Sequence, residues 1–194
     1  MNSVKLRTLC SVAALAACSA AFVGCTTTRP DDRGSTASSR ASIDAQVDAT
    51  LSKLYNAVPD SRELIGRSRG VLVFPSVVGG SLGVGAEYGR GALRVGNRTQ
   101  AYYSTTAGSI GLQAGGHSRA IIYVFNTQDA LDKFRNSKGW TAGVDASVAA
   151  ATVGANGRID TNTMRQPVVG FVLTNIGLEA GVSIQGARIA EVRL

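Results

Sequence analysis

An α+β fold, an antiparallel β-sheet or small β-barrel with an N-terminal amphipathic helix and one or two further helices, is what the sequence predicts. Three observations carry this. A helical apolar period runs from Ile43 to Val58, and beyond Gly70 it is replaced by short runs of β-type residues. Glycine, 23 of 194 residues, punctuates those runs, since all but Gly24 and Gly34 fall between Gly66 and Gly186. With 44% hydrophobic and 17% charged residues, the chain supports a packed core rather than a disordered state, and its length suits one domain.

The first residues precede the fold. Lys5 and Arg7 are followed by an uncharged, Ala- and Val-rich stretch from Thr8 to Gly24, the pattern of a secretion signal. Its end, small residues before a cysteine, resembles a bacterial lipoprotein signal in which that cysteine is acylated. Leu15-Ala16-Ala17-Cys18 matches the usual lipobox better by letter, but a cut there leaves the apolar Ser19 to Gly24 on the mature chain. Cys25 is followed at once by TTTRPDDRGSTASSR, so context favours Cys25, with Cys18 as the alternative. The expected organisation is a signal peptide over 1–24, a flexible tether over 25–40 and a folded domain over 41–194. Thr26 after the modified residue points to outer-membrane sorting, with the domain in the periplasm or at the cell surface.

A cut before Cys25 lowers the net charge from +7 to about +5 and leaves no cysteine for a disulfide. The tether has no apolar periodicity, and a flexible coil of that length spans roughly 20 Å. The first helix, with Ser42 or Asp44 as cap, presents Ile43, Val47, Leu51, Leu54, Tyr55 and Val58 on one face and Asp44, Asp48 and Lys53 on the other, and stops near Pro59. A second, short helix begins at Asp60 or Ser61 and reaches about Ser68.

Next come the runs VLVFPSVV, SLGVGAEYG, ALRVG, TQAYYSTT, SIGLQAG and RAIIYVFN, expected as successive strands separated at glycines. Val71 to Phe74 lacks alternation, as a strand covered on both faces would. A helix starts at Thr127-Gln128-Asp129, buries Ala130, Leu131 and Phe134, and ends at Gly139. Asp145 to Val153 is open to helix or strand. PVVGFVLTN, GLEAGVSIQG and ARIAEVRL return to strand, and IGLQAG (110–115) is echoed by IGLEAG (176–181).

Chemistry-bearing motifs are scarce. GGSLGVGAEYGRG (79–91) has neither the Lys-Ser/Thr of a P-loop nor dinucleotide spacing, and strand rather than helix follows it; its glycines suit bulges and close strand packing. A single histidine, His117, placed by Gly115-Gly116 in an expected turn, excludes zinc once the cysteines are gone. It has no GxSxG elbow to serve. No metal, cofactor or nucleic-acid module is expected, and a binding role is expected rather than an enzymatic one.

The basic residues remain. Arg62, Arg67 and Arg69 lie close together, Arg90, Arg94, Arg98 and Arg119 fall near expected turns, and Lys53 sits on the first helix. Converging on one face beside a lipid anchor, they would meet anionic lipid headgroups, each basic residue contributing about 1 kcal/mol.

The ordered series SRGVLVFPSVVGGSLGVGAEYG (68–89), AYYSTTAGSIGLQAGG (101–116), IIYVFNTQDALDKF (121–134), GVDASVAAATVG (143–154) and GFVLTNIGLEAGVSIQG (170–186) resembles the SYLF domain, also called the Ysc-type actin-binding domain. The resemblance covers about Ile43 to Leu194. It implies a non-enzymatic module: eukaryotic members bind phosphoinositide membranes through an N-terminal amphipathic helix, and some bind actin filaments. Bacterial members are commonly secreted or lipid-anchored. The matching helix here departs from the lipid-binding pattern, with Lys53 set against Asp44 and Asp48.

The expected function is therefore that of a membrane-anchored lipoprotein whose domain binds anionic phospholipids or phosphoinositides through Lys53, Arg62, Arg67, Arg69, Arg90, Arg94, Arg98 and Arg119. The alternative is an envelope lipoprotein acting through a protein partner. Actin is the weakest transfer, since a periplasmic protein meets none.

Overall fold

The computed structural model describes residues 32–151, 158–175, 177–179 and 185–194; for 32–35, 81–84 and 109–115 it describes the backbone alone. Residues Thr36–Leu194 form one compact unit, and of the other, Met1–Ser35, the described part is the start of the first helix. The fold is α+β. In chain order come α1 (Asp32–Ala57), α2 (Asp60–Arg67), β1 (Gly70–Val95), β2 (Arg98–Phe125), α3 (Gln128–Asn136), β3 (Trp140–Thr141), β4 (Ala149–Ala150), α4 (Thr161–Met164), β5 (Val168–Thr174), β6 (Gly177–Leu178) and β7 (Arg188–Val192).

The six expected strands between Gly70 and Asn126 are two. β1 and β2 pair antiparallel from Gly70↔Phe125 to Val95↔Arg98, joined by a two-residue turn at Gly96 (φ 55°) and Asn97 (φ 64°). Two successive positive φ values are the signature of a type I′ hairpin turn, which matches the twist of its strands. β7 pairs with the first part of β2 through Tyr102 to Thr106. β5 pairs with its last part through Ala120 to Phe125. β4 joins β5 in parallel, giving a curled, mixed half-barrel.

The internal glycines do not break these strands; they let β1 fold back on itself. A Cβ at Gly91 would collide with the carbonyl oxygen of Val73 and lie 2.8 Å from the Phe74 ring. One at Gly89 would lie 2.8 Å from the Ser76 carbonyl oxygen, and one at Gly79 would lie 2.7 Å from the Glu87 side chain and 2.9 Å from the His117 ring. Residues 73–79 thus lie against 87–91 of the same strand at distances only glycine permits. The register shift between Phe74 and Val77 places a bulge at Pro75, where the missing N–H costs no ladder bond.

Both faces of the sheet are covered, as the unalternating Val71–Phe74 requires. One face packs Val71, Val73, Ile122, Val124 and Phe171 against Ile43, Val47, Leu54 and Val58 of α1 and Leu64 of α2. The other packs Leu72, Phe74, Tyr123 and Phe125 under Leu131 and Phe134 of α3. There Phe134 stacks near Phe125 (5.0 Å), Tyr103 (4.9 Å) and Trp140 (5.5 Å). α3 is capped by Thr127, whose hydroxyl accepts from the Ala130 amide, and ends at Asn136, before Gly139.

Several local expectations are corrected. α1 starts at Asp32, so residues 32–40 are helical and Ser42 and Asp44 lie inside the helix rather than capping it. Ser61 does not cap α2; its buried hydroxyl donates to the carbonyls of Val58 (2.5 Å) and Leu54 (3.4 Å), closing the end of α1. Between Asp145 and Ala151 the described chain is irregular apart from β4. The short α4, not anticipated, is capped by Asp160, which accepts from the amides of Asn162 and Thr163. The IGLEAG echo and Cys18 and Cys25 lie wholly or partly outside the described residues.

Burial pushes the Tyr103 hydroxyl pKa up to about 12 and raises that of the fully buried Tyr123 further. A phenol whose folded pKa exceeds its ordinary 10.0 keeps its proton in the native state while the unfolded chain loses it. Stability is therefore expected to be unaffected below pH 10 and to fall as pH rises above it. Absorbance at 295 nm should show at least two of the five tyrosines ionising together with unfolding rather than ahead of it.

Candidate functional site

The first helix is docked by its acidic residues. Asp44 accepts hydrogen bonds from Thr99 (2.8 Å) and the Tyr102 hydroxyl (2.9 Å). Arg94, its side chain only 14% exposed, pairs with Asp48 at 2.9 Å and Asp44 at 3.9 Å and donates to the Asp44 carbonyl. At the N-terminal side of these contacts Arg40 donates to the Leu194 carbonyl. Asp44 and Asp48 thus bind the turn end of the β1–β2 hairpin, although the Asp48 side chain is still 63% exposed.

The apolar face of α1 is equally committed. Burying Ile43, Val47, Leu54 and Val58 contributes on the order of 6–12 kcal/mol at ~1.5–3 kcal/mol each, comparable with the whole stability of a domain. Insertion of this face into a bilayer would undo the fold, so any membrane contact must use groups at the surface.

The eight sequence-predicted basic residues separate into groups. Arg62 and Arg94 line a cavity of about 490 Å³ between α1, α2 and the Gly96-Asn97 turn, together with Ser52, Tyr55, Ser68 and Asn97. Arg67, Arg69 and Arg98 are chain neighbours of the lining residues Ser68 and Asn97 but do not themselves line it. The guanidinium of Arg62 lies 4.4 Å from the Tyr55 ring centre, a cation–π contact that holds it at the cavity wall. The same Tyr55 has its hydroxyl pKa raised by burial, partly offset by Arg62. Arg67 bonds loosely to Glu63 at 3.7 Å. Arg94 is already neutralised by its two aspartates, which leaves Arg62 as the lining cation that supplies charge to the site. The volume falls within the range of small-molecule sites, and the lining combines Arg62, Arg94 and Asp48 with Leu51, Ile65 and Val71, while the Ser52 and Ser68 hydroxyls donate to the carbonyls of Asp48 and Ile65.

Arg90, Arg119 and Lys53 lie elsewhere. Arg90 donates to the Tyr88 hydroxyl at 2.9 Å beside an open groove along Ser38, Ser42 and Gln46. Arg119 bonds Glu87 at 2.7 Å, and His117 bonds the other oxygen of the same carboxylate at 3.0 Å. His117 is therefore in the middle of β2, not in a turn, and its Nε2 is tied to a carboxylate that is 6% exposed. Glu87 was not singled out from sequence, because its partners lie 30 and 32 residues away. Lys53 and Arg119 both line a small cleft on the opposite flank of α1. Among the described residues no group of three or more metal-binding side chains is found, and no helix is long and apolar enough to cross a membrane.

No curated protein matches the sequence. Residues 106–193, from within β2 through α3 and β5 to the end of β7, match the family model described as Ysc84, Las17-binding protein actin regulator. The match contains Arg119 and His117 but not the cavity arginines. It bears out the resemblance drawn from the motifs over residues 106–193, which match the SYLF (Ysc84) family.

Proposed function

We propose that the chain is a lipid-anchored envelope protein, acylated at Cys25 and sorted to the outer membrane, whose SYLF domain binds the headgroups of anionic phospholipids without converting them. The observation that supports this reading is that Arg62 and Arg94 line one cavity of about 490 Å³, with Arg67, Arg69 and Arg98 adjacent in the chain to its lining residues Ser68 and Asn97. A phosphate there would meet the Arg62 guanidinium at the cavity wall. The mode differs from insertion of an amphipathic helix, because the apolar face of α1 is occupied by the sheet. The family description names actin regulation; an exported, lipid-anchored chain meets membrane first, so lipid is the favoured partner. A tether would raise the local concentration of headgroups and make modest affinity sufficient.

Flotation of residues 36–194 with vesicles tests this. Binding is expected with phosphatidylglycerol or cardiolipin at low salt, to weaken as salt rises, and to be absent with phosphatidylcholine alone. The Arg62→Ala/Arg69→Ala/Arg98→Ala variant should lose about 3 kcal/mol at ~1 kcal/mol per basic residue, roughly a hundredfold in partitioning. Binding that ignores anionic lipid content would refute the proposal. A specific envelope protein recovered by crosslinking in cells, without lipid binding, would favour a protein partner instead.

A further inference from the structure

An open groove runs between the N-terminal half of α1 and β1. Ser38, Ser42, Ile43 and Gln46 of the helix and Ser76 and Arg90 of the strand lie along it; its volume is about 420 Å³, and it shares no lining residue with the larger cavity. We propose that this groove binds a short neutral oligosaccharide, with one sugar ring on the exposed face of Tyr88 and sugar hydroxyls held by Arg90, Ser42 and Gln46.

The lining is polar yet almost uncharged. Hydroxyl and amide side chains make up most of it, Arg90 is its one cation, and among the described residues no acidic side chain lines it. An anionic membrane surface is held by a cluster of cations and an acyl chain by an apolar wall. Here the only aliphatic side chain is that of Ile43, which is already packed in the core. Such a lining suits a ligand that is rich in hydroxyls and carries no charge, and the volume lies within the range of small-molecule sites.

A sugar hydroxyl both donates and accepts, so its site needs groups of both kinds. The Gln46 amide donates to the Ser42 hydroxyl at 3.0 Å, which leaves the Ser42 proton and the Gln46 side-chain oxygen for a ligand. Arg90 donates its Nε–H to the Tyr88 hydroxyl at 2.9 Å. Its terminal nitrogens have no partner among the described residues, and the Tyr88 proton also remains to be donated.

Tyr88 supplies a flat surface. It is 43% exposed, one of three large apolar side chains that the described residues show to solvent. Tyr88 and Arg90 stand two apart in β1 and so share a face, on either side of buried Gly89, where a Cβ would lie 2.8 Å from the Ser76 carbonyl oxygen. Ring and guanidinium are thus mounted on a strand segment packed closely against the segment that carries Ser76. An aromatic ring pinned in this way loses little conformational freedom when a ligand covers it, and a site on a docked helix and a sheet is more rigid than one on loops.

Calorimetric titration of the full chain in a sugar-free detergent with two neutral probes, tetraacetylchitotetraose and maltotetraose, tests the site. At least one is expected to bind with a Kd below about 1 mM, and salt should not weaken it because the ligand carries no charge. Tyr88→Ala and Arg90→Ala should each weaken binding about tenfold or more, and Tyr88→Phe, which keeps the ring, should fall between Tyr88→Ala and the unaltered chain. Both side chains are exposed, so unaltered thermal unfolding is expected of all three variants. Arg62→Ala, which removes a cation from the larger cavity, should leave sugar binding intact, and Tyr88→Ala should leave flotation with phosphatidylglycerol vesicles intact, so failure of the headgroup reading and failure of this one are told apart. Binding of neither sugar would overturn the proposal. So would sugar binding that survives both Tyr88→Ala and Arg90→Ala, or an Arg90-dependent affinity for phosphatidylglycerol with none for sugar.

Discussion

Arg119→Ala is expected to destabilise the domain by about 3–5 kcal/mol, the usual cost of leaving a buried charge without its partner. The carboxylate concerned is Glu87, 6% exposed and held by Arg119 and His117. In the ladder Glu87 stands opposite Ala107, while Arg119 and His117 stand opposite Val77 and Gly79. The pair therefore ties the far part of β1 to its near part and closes the curl of the sheet. The double variant Glu87→Gln/Arg119→Met, which removes both charges, should recover most of the loss, since replacing a buried ion pair by neutral groups is often close to neutral. Thermal unfolding would show the single variant about 10 °C lower at ~2–4 °C per kcal/mol. A double variant as unstable as the single would show that the residues act through packing and not through charge.

Gly91→Ala is expected to be comparably damaging, at about 3 kcal/mol or more. The added methyl would meet the Val73 carbonyl oxygen and the Phe74 ring; a carbonyl held in the sheet cannot swing aside as a flexible side chain can, and overpacking of this kind costs ~1–3 kcal/mol even where neighbours yield. Gly108 is the control. It lies in β2, where an added Cβ meets nothing within 4 Å, so Gly108→Ala should be neutral or stabilise by ~0.4–1 kcal/mol by restricting the unfolded chain. Denaturant unfolding of both variants decides the point, and equal cost at the two positions would refute the role given to the β1 glycines.

Those glycines show where sequence reading stops. A Gly-rich gap between apolar runs is the same local signal whether the chain turns or a strand bends across itself. The distinguishing fact, Gly91 lying against Val73, is a tertiary one. Hence β1 and β2 read as six strands, although their apolar and β-branched content was plain and Val71–Phe74 announced a sheet covered on both faces. The α1 period from Ile43 to Val58 was legible because burial on one face imposes it. The destination of the polar face was not: Asp44 and Asp48 look like solvent charges until the hairpin delivers Arg94, Thr99 and Tyr102 to them.

The candidate site was half visible for the same reason. Arg62, Arg67 and Arg69 are neighbours in the chain, so their grouping needs no fold. Arg94 joins Arg62 at the cavity only because the Gly96-Asn97 turn brings the hairpin end against α1 and α2. Arg119, whose spacing suggested the same role, is carried to the opposite flank of α1 with Lys53, and Arg90 to neither place. The sequence-predicted basic residues therefore do not all lie on one face.

Amide hydrogen exchange of the domain on and off phosphatidylglycerol vesicles tests the central claim most directly. The account predicts added protection around Arg62 to Gly70 and Arg94 to Arg98, with the amides from Ile43 to Val58 as protected on the vesicle as in solution, because α1 stays on the sheet. Loss of protection along α1 on binding, with none gained around the cavity, would contradict it and show that the helix leaves the fold to enter the bilayer.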